Sequence, residues 1–139
     1  MYSYFIKSQL ANRSYNLQLH DELTLHDLSA SQWGLIRYIF EVGPATFSEV
    51  ASYWKVEKPS VTPIAQKLVE KEMVFISPGK DKRQKVMHLS EKGVELYKQI
   101  KHMIDVFQEE LVVGISQEER EIAEEVLDKL LINLTKRGC

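Results

Sequence analysis

Thr46–Lys71 reads TFSEVASYWKVEKPSVTPIAQKLVEK, and Pro78–Gly93 follows shortly after as PGKDKRQKVMHLSEKG. The first stretch has the layout of a helix-turn-helix. Thr46 and Glu49 have the spacing of a capping box, in which a hydroxyl accepts from the third helical N–H while the longer side chain reaches back. That starts a helix over 46–53. Ala51 is the small residue where two helices touch, and Val50, Trp54, Val56, Val61 and Ile64 are the apolar set for the turn and the inner face of a second helix over 58–71. Lys58, Pro59, Ser60, Thr62, Pro63, Gln66 and Lys67 are left for its outer face and exposed first turn. Hydroxyls, an amide and lysines suit base edges and phosphates in a major groove.

The second stretch turns the helix pair into a winged helix. MVFIS (Met73–Ser77) and KVMHL (Lys85–Leu89) are two short β-leaning runs, with Pro78-Gly79 opening the loop between them. A lone hairpin is marginal in water, so it must lean on the helices, here through Val74, Ile76, Val86 and Leu89. Its tip carries Lys80, Asp81, Lys82, Arg83 and Lys85. The lysines suit phosphates, with affinity that falls as salt rises. The arginine suits a narrow minor groove, where negative potential is concentrated.

Outward from this centre the pattern is helical. Ser29 and Gln32 cap a helix over 30–42 that buries Leu35, Ile36, Ile39 and Phe40, and Gly43-Pro44 stops it. A polar-rich segment, 4–24, is expected to be helical. Tyr97, Ile100, Ile104, Phe107 and Leu111 repeat at 3/4 spacing in a helix over 91–113. Ser116 and Glu119 open another over 117–136, with Gly114 between the two. The fold expected is mainly α with a small β-hairpin wing.

The chain has 139 residues and a formal net charge of −2, which hides a division. From Lys55 to Lys92 nine basic residues face five acidic ones, a balance of +4; from Asp105 to Cys139 four face nine, a balance of −5. A basic middle suggests an anionic partner there. No apolar run approaches the roughly 20 residues of a membrane span, and the N-terminus has no secretory pattern. The single cysteine, Cys139, excludes an internal disulfide, so a cytoplasmic location is expected. His20, His26, His88 and His102 show no His-x3-His pair, so neither metal nor cofactor is expected, and Trp33 and Trp54 read as core anchors. No phosphate loop or nucleophile motif is present, and the chain is not read as an enzyme.

LSASQWGLIRYI, TFSEVASYWKVEKPSVTPIAQKLVEKEMV and above all DKRQKVMHLSEKG resemble the MarR family of bacterial transcription regulators. Asp81, Arg83, Leu89, Ser90 and Gly93 match that family's wing pattern, and the similarity of layout covers essentially the whole chain. The resemblance implies a single domain over 1–139, with a winged helix-turn-helix core at 29–90 (helix-turn-helix 46–71, wing 73–89) between dimerisation helices at 4–24 and 91–137. It implies a homodimeric repressor on a pseudo-palindromic DNA operator, with Arg83 in the minor groove and Asp81 orienting its basic neighbours. Leu10, Phe107, Leu111, Leu127, Leu130 and Leu131 would lie in the dimer interface. A small apolar or phenolic effector would release the DNA, with Tyr15, Leu19, Trp33, Tyr38 and Phe107 chosen as its walls for their aromatic and apolar character. The alternative is a winged-helix protein–protein interaction module that docks an acidic partner.

Two details depart from the family. The VTP run resembles the branch of organic-hydroperoxide sensors, yet no cysteine lies in the N-terminal helix. Lys55 stands where glycine is usual at the turn, implying about 1 kcal/mol of strain if it is left-handed. Pro63 would cost about 3 kcal/mol inside a helix starting at Lys58, so a loose, 3₁₀-like first turn is expected.

Overall fold

The computed structural model describes residues 3–138. In chain order it contains α1 (Ser3–Thr24), α2 (Ala30–Val42), β1 (Ala45–Thr46), α3 (Phe47–Trp54), a 3₁₀ turn (Lys58–Ser60), α4 (Thr62–Glu70), β2 (Val74–Pro78), β3 (Lys85–Leu89), α5 (Glu91–Leu111) and α6 (Gln117–Gly138). Two compact units divide within α5, Met1–His102 and Met103–Cys139.

In the first unit the caps set the helix starts. The Ser29 hydroxyl accepts from the Gln32 N–H at 3.1 Å while Gln32 Oε1 accepts from the Ser29 N–H at 3.2 Å. Thr46 and Glu49 repeat the arrangement at the start of α3. The helix ends share a second device. At Asp27, Lys55 and Glu72 the backbone is left-handed, with φ of 56°, 57° and 63°. In each case the next N–H reaches back five residues, from Leu28 to Leu23, Val56 to Ala51 and Met73 to Leu68. These are Schellman ends built without glycine. For Lys55 the sequence left this conformation open, and the chain adopts it; Asp27 and Glu72 were not expected there.

The sheet has three strands in the order β1-β3-β2, all antiparallel. Only two were expected. The third, Ala45–Thr46, pairs with Met87 and Val86. Two residues are too few to display alternation, and Thr46 can pair because an N-cap residue is extended, here at φ −80° and ψ 162°. The second strand begins one residue later than expected, because the Met73 N–H is taken by Leu68. It ends on Pro78, which an edge strand tolerates.

The core of this unit gathers Leu23, Leu35, Ile36, Val50, Val61, Leu68 and Met87, all fully buried. Three expectations need correction. Phe40 is 42% exposed; its ring lies flat on Tyr97 at 3.9 Å, and Tyr97 stacks in turn on the buried Trp33 at 5.5 Å. Val56, the residue after the left-handed corner, is exposed. The wing leans on the core through Val74 and Met87; Ile76, the ladder partner of Met87, is 40% exposed because it lies on the edge strand β2 while Met87 lies on the central strand. Val86 is only half-buried and lies on the opposite face of β3 from Met87, because neighbouring strand residues point to opposite sides.

The wing root is locked to the start of α5. The Ser90 N–H donates to the Met73 carbonyl at 3.0 Å and its hydroxyl to the Glu72 carbonyl at 2.6 Å. Ser90 Oγ also accepts from the Gly93 N–H at 3.1 Å. A Cβ at Gly93 would stand 2.2 Å from the Met73 oxygen, so only glycine fits without a backbone shift.

In the second unit Ser116 and Glu119 form the third capping box. Gly114 takes φ 82° between the helices. The last helix, α6, has no buried residue along its 22 positions, although Ile122, Val126, Leu127, Leu131, Ile132 and Leu134 lie on it.

Candidate nucleic-acid interface

The corner at Lys55 turns the chain out of α3. The 3₁₀ turn then carries Lys58, Pro59 and Ser60 past the bend, and α4 begins at Thr62. Pro63 is therefore the second residue of α4, where its missing N–H is one that no helix satisfies. This is the loose first turn expected from the sequence. Val61, Ala65 and Leu68 face inward and leave the other side of α4 free.

Across from that free side stands the wing. A cleft of about 440 Å³ separates them, lined by Lys58, Thr62 and Gln66 from one side and by Ile76, Arg83, Gln84 and Lys85 from the other. Thr46, Phe47 and Ser48 at the start of α3 close its floor. The turn at the tip is narrow. The Gly79 N–H donates to the Gln84 carbonyl at 2.9 Å, and the Gln84 N–H to the Asp81 carbonyl at 2.8 Å. Asp81 Oδ1 accepts from the Arg83 N–H at 3.1 Å, so the carboxylate fixes the backbone that carries the arginine. Arg83, Lys80, Lys82, Lys85 and Lys58 are exposed, and their charges find no ion pair among the described residues.

The structure thus brings together five of the predicted residues: Lys58, Thr62, Gln66, Arg83 and Lys85. Pro59, Ser60, Pro63 and Lys67 are exposed outside the cleft, and Lys67 pairs with Glu70 at 3.8 Å. Lys80, Asp81 and Lys82 form the tip beyond it. Thr46, Ser48 and Gln84 were not foreseen as lining residues. The spacing of Thr46 and Glu49 marks Thr46 only as a cap, and the distance between α3 and the wing is not visible along the chain.

The remaining candidates are dispersed. Leu10, Leu111, Leu127 and Leu131 are exposed and Leu130 is half-buried, whereas Phe107 is already covered within the single chain and has little to offer a partner. Of the effector walls, Trp33 belongs to the core and Tyr38 packs on Tyr53 with ring centres 5.0 Å apart. Tyr15 and Leu19 are half-buried on α1. None of the five lines the wing cleft or a second cleft, of about 600 Å³, formed by Gln9, Asn12, Arg13, Asn16, Leu17, His20 and Ala30. Among the described residues no three His, Cys, Asp or Glu side chains gather as a metal site, and no helix is long and apolar enough to cross a membrane. Cys139 lies outside the described residues.

Residues 26–84, which hold the helix-turn-helix and the wing up to Gln84, match the MarR family model. The uncharacterized HTH-type transcriptional regulator YwoH of Bacillus subtilis is 32% identical over 102 residues, 73% of this chain and 74% of that one. The chain belongs to the MarR family. Such MarR relatives are transcription regulators and not enzymes. The solved Staphylococcus aureus MarR in complex with salicylate and kanamycin superposes with a TM-score of 0.89 at 26% identity, covering 98% of this chain and 93% of that one. The MepR–DNA complex of S. aureus shares the fold, with a TM-score of 0.81 at 22% identity over 96% of this chain and 98% of that one.

Proposed function

We propose that this MarR-family chain is a homodimeric, sequence-specific DNA-binding repressor, released from a pseudo-palindromic operator by a small apolar or phenolic effector. The observation that carries the reading is the wing cleft. It sets a polar stripe of α4 opposite an arginine and a lysine of the wing, with no acidic side chain among its walls. In this reading α4 enters the major groove, the lysines meet phosphates, and Arg83 reaches the neighbouring minor groove. Two copies related by an isologous two-fold place their α4 helices in successive major grooves about 34 Å apart.

The exposed apolar side chains of α6, and Leu10 of α1, support a second copy as their cover. The effector reading is supported by the salicylate-bound relative from S. aureus. An effector acts only if it binds one spacing of the two α4 helices better than the other. Salicylate is therefore the first probe to titrate against the protein–operator complex.

The test is a gel-shift series with Arg83→Ala. Operator affinity is expected to fall at least several-fold while the far-UV circular dichroism stays unchanged. For the wild type, the binding constant should drop steeply from low to moderate salt, because each lysine or arginine on a phosphate releases a counterion. Unchanged affinity for Arg83→Ala, or a flat salt profile, removes the wing from the interface. Failure to bind heparin or random duplex even at low salt favours docking to an acidic protein instead.

A further inference from the structure

We propose that Gln66 is the residue that reads sequence, and that it selects an adenine in each operator half-site. The inference rests on the DNA-binding reading above and adds to it the base that is recognised. Thr62 and Gln66 are the two α4 residues that line the wing cleft, one helical turn apart. Thr62 is half-buried, and its side chain carries a single oxygen. Gln66 is exposed, and its carboxamide makes no hydrogen bond among the described residues. It is the fifth of the nine residues of α4, on the helix that the reading above places in the major groove.

A carboxamide presents one acceptor and one donor side by side. In the major groove only adenine offers the matching pair, an acceptor at N7 and a donor at N6; guanine offers two acceptors and is the partner of arginine or lysine. No basic residue of α4 competes for that place. Lys67 lies outside the cleft and is paired with Glu70 at 3.8 Å, while Lys58 precedes the helix in the 3₁₀ turn. Pro63 lies outside the cleft, as Lys67 does, so the choice of base rests on Gln66.

The experiment begins with selection of operators from random duplexes by the full chain, followed by gel shifts on duplexes in which each pair of the half-site is replaced in turn. For the wild type, replacing one A·T pair by G·C should weaken binding about 5- to 150-fold. Replacing that adenine by 7-deazaadenine, which removes N7 alone, should cost a part of the same loss. Gln66→Ala should bind the selected operator more weakly, distinguish A·T from G·C at that pair by less than about twofold, and keep its preferences at all other pairs. If Gln66→Ala discriminates at every pair as the wild type does, or if the pair that loses its discrimination is G·C, the assignment is wrong. If no duplex is retained at low salt, the DNA-binding reading itself falls, which is a separate and earlier result.

Discussion

Lys55 sits at φ 57° and ψ 45°, in the region where an L-residue carries about 1 kcal/mol of strain and glycine carries none. The corner is needed because its N–H and that of Val56 satisfy the last carbonyls of α3, and the resulting bend aims α4 at the cleft. Lys55→Gly should therefore raise the stability of the chain by up to about 1 kcal/mol, read as a higher urea midpoint with an unchanged slope. A lower midpoint would mean that the lysine side chain contributes more than its backbone costs. This corner was legible in advance because the family places glycine there. The equivalent corners at Asp27 and Glu72 have a subtler sign, an apolar residue at the end of a helix and another five positions later (Leu23 and Leu28, Leu68 and Met73), all four of them buried.

Among the elements, those with a chemical start signal were legible almost to the residue. All three capping boxes exist, and α2 has the bounds that its cap and its Gly-Pro stop imply. What escaped was either too short to carry a period, as with β1, or a matter of facing across the sheet, as with Val86 and Met87. The cleft itself was half legible. Residue types pointed to α4 and the wing, while the participation of Thr46 and Ser48 depends on how α3 is set against β3. The box that opens α6 also has a pH signature. The Glu119 carboxylate accepts from the Ser116 backbone N–H, the larger influence, and from its hydroxyl, and both hold its pKa below the ordinary carboxylate value. A carboxylate whose pKa is lowered by folding stabilises the fold above its unfolded pKa, and that contribution is lost as pH falls through the lower, folded value. Between about pH 6 and pH 3 the wild type should therefore lose more stability than Glu119→Gln, which keeps an oxygen acceptor but does not titrate. Parallel acid titrations of the urea midpoint would refute this.

For the whole molecule, the open question in a single chain is what covers its apolar helices. Leu131 is 62% exposed and Leu134 63% exposed on α6, far more than a helix of an isolated protein leaves to water over so many positions. The second copy proposed above would cover them. Leu131→Glu should shift the protein from dimer toward monomer in sedimentation velocity. It should weaken operator binding through lost bivalency although residue 131 is in the unit that lacks the wing. An intact dimer in that variant would move the interface elsewhere.

The hairpin is fastened at its root, by the join between Ser90, Gly93 and the carbonyls of Glu72 and Met73, and along β3, where β1 pairs with Val86 and Met87. Lys80 to Arg83 hang beyond these attachments and beyond the paired strands, on a turn closed by its own backbone. The outer loop is therefore an interchangeable cassette: its letters can be rewritten to suit another groove without asking the scaffold beneath to be rebuilt.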